Sequence, residues 1–259
     1  MNPPDEPASP EPPNPQPASP PRPQYPPRPA APPLTQDAGA GLLLDSLLKR
    51  PAQLIQLVCE GGNSRFWPLF LTTALMAFAV FGLVVGSFYG GQQYGISPAK
   101  ICAGELFSLL ICFPSFYIFA SLSGVTVSLR ALAGVFLCMF ALTGLLLLGF
   151  APVAWVFSQP TESVTFIGAM YLVFWLIATL FGLRLLDYMS ASQNTVERVH
   201  LRVWALIFLL VCLQMTTALR PIVAKSDQWL PTEKKFFIAY WLENLAGALK
   251  QDQPPGGNQ

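Results

Sequence analysis

The sequence predicts an all-α fold: a polytopic transmembrane bundle of about five spans, flanked by amphipathic interfacial helices. Composition is the first observation behind this. The chain is 53% hydrophobic and 11% charged, with mean hydropathy +0.46, whereas a soluble domain carries about 25% charged residues. The second is length. Apolar runs of roughly twenty residues, enough to cross a bilayer, recur at 67–89, 99–121, 131–150, 164–183 and 203–219. The third is the spacing of charge, which falls almost entirely between these runs or at their ends.

Residues 1–40 are read as a disordered tail. The motif PASP stands at 7–10 and 17–20, and PPRP at 20–23 and 26–29. Proline at this density fixes φ and removes backbone donors, so polyproline II character replaces helix and sheet. The recurring P-x-x-P makes the tail a candidate ligand for an aromatic-lined groove on a membrane or cytoplasmic partner. The beginning is acidic and lacks a basic stretch before an apolar core. The expectation is therefore no cleavable signal peptide and a first span retained as an anchor.

Residues 41–63 are predicted to hold two short amphipathic helices. Leu42, Leu43, Leu44, Leu47 and Leu48 come before Lys49-Arg50-Pro51, and Leu54, Ile55, Leu57 and Val58 after it. Neither piece is long enough to span, which places both at the membrane interface.

The transmembrane domain covers 64–220. In the first span Gly82, Gly86 and Gly90 stand four apart, a ridge that lets another helix approach closely. That helix is either a neighbour in the same chain or a second copy, which makes the ridge a candidate homo-oligomer face. The second span starts with Ser97 as N-cap and Pro98 at the first helical position. It carries Glu105, a facing ridge of Gly104, Ser108 and Cys112, and Pro114, which predicts a kink. The stretch from Ser97 to Arg130 is read as the organiser of the fold. The third span is expected to break at Gly149-Phe150-Ala151-Pro152, leaving Trp155 as an interfacial belt residue. The fourth ends at Arg184, before a polar connection. The fifth carries Gln214, Thr216 and Thr217 as a helix–helix bonding patch. Residues 221–250 predict an amphipathic C-terminal helix, and 251–259 a second disordered tail.

Charge sets the expected orientation. Lys49, Arg50, Arg65, Arg130, Arg184, Arg198 and Arg202 fall on the side of the N-terminus, and only Lys100 in the opposite loops. The positive-inside rule then places the N-terminus in the cytoplasm. The basic residues after Arg220 pull the other way.

No catalytic constellation stands out: there is no H-E-x-x-H, no G-x-S-x-G and no P-loop lysine. No cofactor or metal site is expected. His200 lies among Arg198 and Arg202, and the five cysteines form no C-x-x-C pair, so they read as small apolar residues. A net charge of +1 with no basic cluster gives no reason to expect nucleic acid. The expected partners are the lipid bilayer and other proteins. The strongest single candidate is Glu105, the one carboxylate placed within a span. It has two readings. It holds the bundle by bonding Gln214 or Thr217, or it serves a small channel or carrier as a proton relay or cation ligand. Arg130, at the head of the third span, is read as reaching the headgroups.

The layout also resembles a known family. A short amphipathic segment with a proline, LLKRPAQLIQLV, precedes five closely spaced spans. The segment LSGVTVSLRALAG joins the second span to the third, and the third closes at GFAPV. This resembles the Yip family of Rab-interacting five-span proteins, in its bacterial branch. The resemblance implies a non-enzymatic bacterial inner-membrane protein with a cytoplasmic N-terminus, acting as a scaffold, adaptor or assembly component.

Overall fold

The computed structural model describes residues 34, 38–61, 66–161, 163–193 and 198–219. The described residues form seven helices and no strand: α1 Ala40–Lys49, α2 Pro51–Cys59, α3 Phe66–Tyr89, α4 Gln93–Leu122, α5 Leu129–Ser158, α6 Val164–Ser192 and α7 Val199–Leu219. Four of them, α3 to α6, are long and apolar enough to cross a membrane. The Pro-rich tail, Arg65, Arg220, the C-terminal segment 221–250 and the tail 251–259 lie outside the described residues.

The bundle is organised around α5, not around the Ser97–Arg130 stretch. In an apolar eighteen-residue stretch of α5, 72% of the residues are buried, against 28% in the corresponding stretch of α4. The cause is residue distribution. From Ala131 to Gly144 every residue of α5 but Ala133 is buried. A helix apolar on all sides belongs in the interior. α4 instead buries one narrow stripe, Ser97, Lys100, Gly104, Ser108, Cys112, Phe116 and Ala120, spaced by three and four. α5 accordingly packs on α3, α6 and α2, with lighter contacts to α4 and α1. α7 turns away from α6, its neighbour in sequence, and packs on α4.

Glycines set the closest approaches. A Cβ on Gly82 would lie 2.5 Å from Pro98 Cα, and one on Gly86 2.5 Å from the Gln93 carbonyl oxygen. These two residues form a ridge against α4, within the same chain. Gly90 is not part of that ridge. It follows the end of α3 with φ 70°, and Gly91 has φ 57°. The two left-handed residues fold the chain straight into α4, a conformation open to glycine at little steric cost. Gly144 approaches Ala74 of α3 in the same manner, a Cβ there meeting the Ala74 backbone at 3.2 Å.

Four element boundaries differ from those expected, the smallest difference being at α7, which starts at Val199 instead of residue 203. α4 starts at Gln93, with Gln92 as its N-cap, so Ser97 and Pro98 lie inside the helix and Ser97 is buried. A proline here removes the N–H that would bond the Tyr94 carbonyl and crowds that carbonyl, and Gly82 leaves room for the Pro98 backbone and Cβ. α5 runs through Pro152 to Ser158 instead of ending at Phe150. Pro152 and Leu148, whose carbonyl it leaves free, both face outward, while Ala151, Ala154 and Ser158 keep the inner face packed. Trp155 is exposed on that extension. α6 continues past Arg184 to Ser192, because Leu185, Leu186 and Met189 extend its buried face beneath α2.

The caps follow from sequence. Gly124 (φ 80°) ends α4 in a Schellman motif, in which Val125 N–H donates to Ala120 O at 3.1 Å and Gly124 N–H to Ser121 O at 3.0 Å. Ser128 caps α5 by accepting from Ala131 N–H at 3.2 Å, and Ser163 caps α6 by accepting from Phe166 N–H at 3.4 Å. α1 and α2 turn Leu43, Leu47, Leu54, Ile55, Leu57 and Val58 inward, onto one another and onto α5 and α6. Leu42 and Leu48 remain exposed on the outer side of α1.

Candidate functional site

Glu105 lies on α4 beside the buried stripe of Gly104 and Ser108. Its partner comes from α6: Trp175 N–H donates to Glu105 Oε1 at 2.7 Å. Trp175 itself is buried. The bond joins two helices that otherwise barely touch, so the pair acts as a polar clamp across the bundle. Surrounding contacts pin both ends. Cys102, one turn before Glu105, donates to the Leu75 carbonyl of α3 at 3.5 Å. Tyr171, one turn before Trp175, packs edge-on against Phe81 of α3 with ring centroids 5.9 Å apart. On the α7 side, Cys212 lies against Ser108 and close to Glu105.

A second indole makes a parallel connection. Trp204 of α7 donates to the Ser115 hydroxyl of α4 at 3.1 Å. Around it, Phe116, Phe136 and Phe208 form a cluster joining α4, α5 and α7, with the Phe116 and Trp204 centroids 4.5 Å apart. Ser115 donates in turn to the Cys112 carbonyl at 2.8 Å. An indole buried in an apolar interior needs an acceptor for its N–H, and α4 supplies one to each of these two rings.

The partner found for Glu105 among the described residues is Trp175, not Gln214. Gln214 makes no bond to Glu105, and Gln214 Oε1 is buried with no partner among the described residues. The side chains of Thr216 and Thr217 lie outside the description. Trp175 is the residue that sequence reasoning missed. The available signal is its position about eleven residues into α6, too deep for a belt tryptophan, which demands an interior acceptor.

The remaining candidates are dispersed. Pro114 faces outward on α4. Arg130, second residue of α5, is exposed and lines a cavity of about 670 Å³ with Trp67, Phe113 and Ser128. Among the described residues no group of three or more His, Cys, Asp or Glu gathers where it could hold a metal ion. Outside the spans, burial and then the neighbouring Glu60 charge push the Cys59 thiol up to about 11, which keeps it protonated and unreactive at neutral pH.

In comparisons with known proteins, the sequence matches no family model, no curated protein and no solved structure at a significant level.

Proposed function

We propose that this chain is a non-enzymatic membrane scaffold or assembly component, a five-span protein with Yip-like layout and a cytoplasmic N-terminus in a bacterial inner membrane. In this reading α7 is the fifth span, and the Pro-rich tail offers contacts to protein partners. The observation that carries the proposal is the Glu105–Trp175 bond. Glu105, the acid in the apolar middle of α4, is committed to an indole donor from another helix, which suits a half-buried carboxyl group that serves helix–helix packing. The test is crosslinking in cells followed by identification of neighbours, for the full chain and for a variant lacking residues 1–33. The scaffold reading predicts specific neighbours that the deletion loses. An unchanged neighbour set overturns the role of the tail.

A second reading, a small channel or carrier, rests on the same residue. Glu105 also lies close to Cys212 and the α7 side, so an ion path between α4 and α7 would pass it.

A further inference from the structure

A cleft opens where α6 and α7 diverge. The two helices are adjacent in sequence, yet α7 packs on α4, and a cavity of about 220 Å³ opens between the end of α6 and the start of α7. Arg184 stands on the α6 wall, and Arg198 and Arg202 on the α7 side, the latter two at i, i+4 spacing on one face. All three are exposed. None makes an ion pair among the described residues. Arg184 is held over the Phe181 ring, its Cζ 4.6 Å from the centroid. Among the described residues the acidic residue lining the cleft is Asp187, so three positive charges stand against one negative there, a net +2. Glu197 adjoins Arg198 in sequence.

One turn toward the middle of the bundle the lining changes character. Leu180 and Leu183 on α6 and Ala205 on α7 form an apolar floor beneath the arginines. A cationic mouth over an apolar floor, open between two helices of a bundle, matches an amphiphilic anion. Guanidinium groups bind phosphate oxygens through paired N–H donors. Basic pockets between membrane helices take anionic headgroups.

We propose that this cleft binds one anionic phospholipid, its phosphate on Arg184, Arg198 and Arg202 and an acyl chain along Leu180, Leu183 and Ala205. The proposal rests on reading α6 and α7 as membrane helices, which fractionation of the full chain with or away from membranes tests separately.

The direct experiment is native mass spectrometry of the full chain released from detergent micelles, titrated with dioleoylphosphatidylglycerol, with dioleoylphosphatidylcholine and with inorganic phosphate. The expected result is a preference of about tenfold for phosphatidylglycerol over phosphatidylcholine, given that each basic side chain near a headgroup contributes appreciably. Phosphate alone should not displace the bound lipid. The triple variant R184Q/R198Q/R202Q should lose the preference while keeping its helical content by circular dichroism, and R130Q should retain it. Asp187→Asn, a change at an exposed position, should tighten phosphatidylglycerol binding. Equal binding of the two lipids by the unmodified chain overturns the proposal. So does a triple variant that keeps its preference, an unchanged affinity in Asp187→Asn, or displacement of the lipid by inorganic phosphate. Should the triple variant fail to fold, Asp187→Asn and the wild-type preference still decide.

Discussion

At the scale of the residue, the energetics of the bundle turn on where a carboxylate finds a donor. An acceptor buried without a partner costs about 1–3 kcal/mol, and polar contacts between membrane helices contribute about 0.6 kcal/mol on average and rarely more than about 1.7. The Glu105–Trp175 bond is short, at 2.7 Å, and it gives the buried indole N–H its acceptor. Trp175→Phe keeps an aromatic ring of similar shape and removes only the N–H. It should lower stability in detergent by about 1–3 kcal/mol. In a Glu105→Leu background the same change should cost less by about 1 kcal/mol. Denaturation of the four proteins of this cycle measures the coupling, and purely additive losses would show that the two side chains act independently. Of the two partners, Glu105 was legible in the sequence, as the one acid in an apolar run. Trp175 was not, since an aromatic residue in a span is ordinarily apolar filling, and which helix faces Glu105 is a matter of tertiary packing. Gln214, one of the two polar partners expected for Glu105, sits on the helix that contributes Cys212 to this neighbourhood and leaves its own oxygen unpartnered among the described residues.

At the scale of the element, apolar periodicity identified where helices occur but misplaced their ends. The reason is the same at Pro98, Pro152 and Arg184. Pro98 was read as a helix start, Pro152 as a helix end and Arg184 as the end of an apolar span, and each is overridden by packing on either side of it. Pro98 fits into the space left by Gly82, Pro152 lies on the outward face of α5, and beyond Arg184 a buried stripe continues through Leu185, Leu186 and Met189. Gly82 and Gly86 were legible as a close-approach ridge, though the sequence left open whether α4 or a second copy filled it. The assignment to α4 makes a definite prediction. Gly86→Val places side-chain atoms where a Cβ already lies 2.5 Å from the Gln93 carbonyl oxygen, so it should destabilise the bundle by about 1–3 kcal/mol. Gly149→Ala, where a Cβ meets nothing within 4 Å, should change stability by less than about 0.5 kcal/mol. Melting curves of both variants in the same detergent make the comparison, and equal losses contradict the close contact of α3 with α4.

At the scale of the molecule, the sequence conveyed the class through composition, and the all-helical architecture with its four long apolar helices agrees with it. The centrality of α5 was partly legible, in the uncharged run that begins at Ala131. It was obscured because Glu105, Pro114 and the turn through Gly124 drew attention to α4, the more polar and more peripheral helix. Our proposed topology has five crossings, which puts the two ends of the chain on opposite sides. A reporter fused after Gln259 should therefore signal from the side away from the cytoplasm, and a cytoplasmic signal there contradicts the five-span arrangement.

The central proposal is that the intramembrane carboxylate holds the bundle together and does not conduct. Reconstituted into sealed liposomes, the full chain should pass protons and monovalent cations no faster than empty vesicles, and Glu105→Gln should leave that background unchanged. Flux well above the background, abolished by Glu105→Gln in a protein of undiminished stability, would contradict the account and assign the residue to transport.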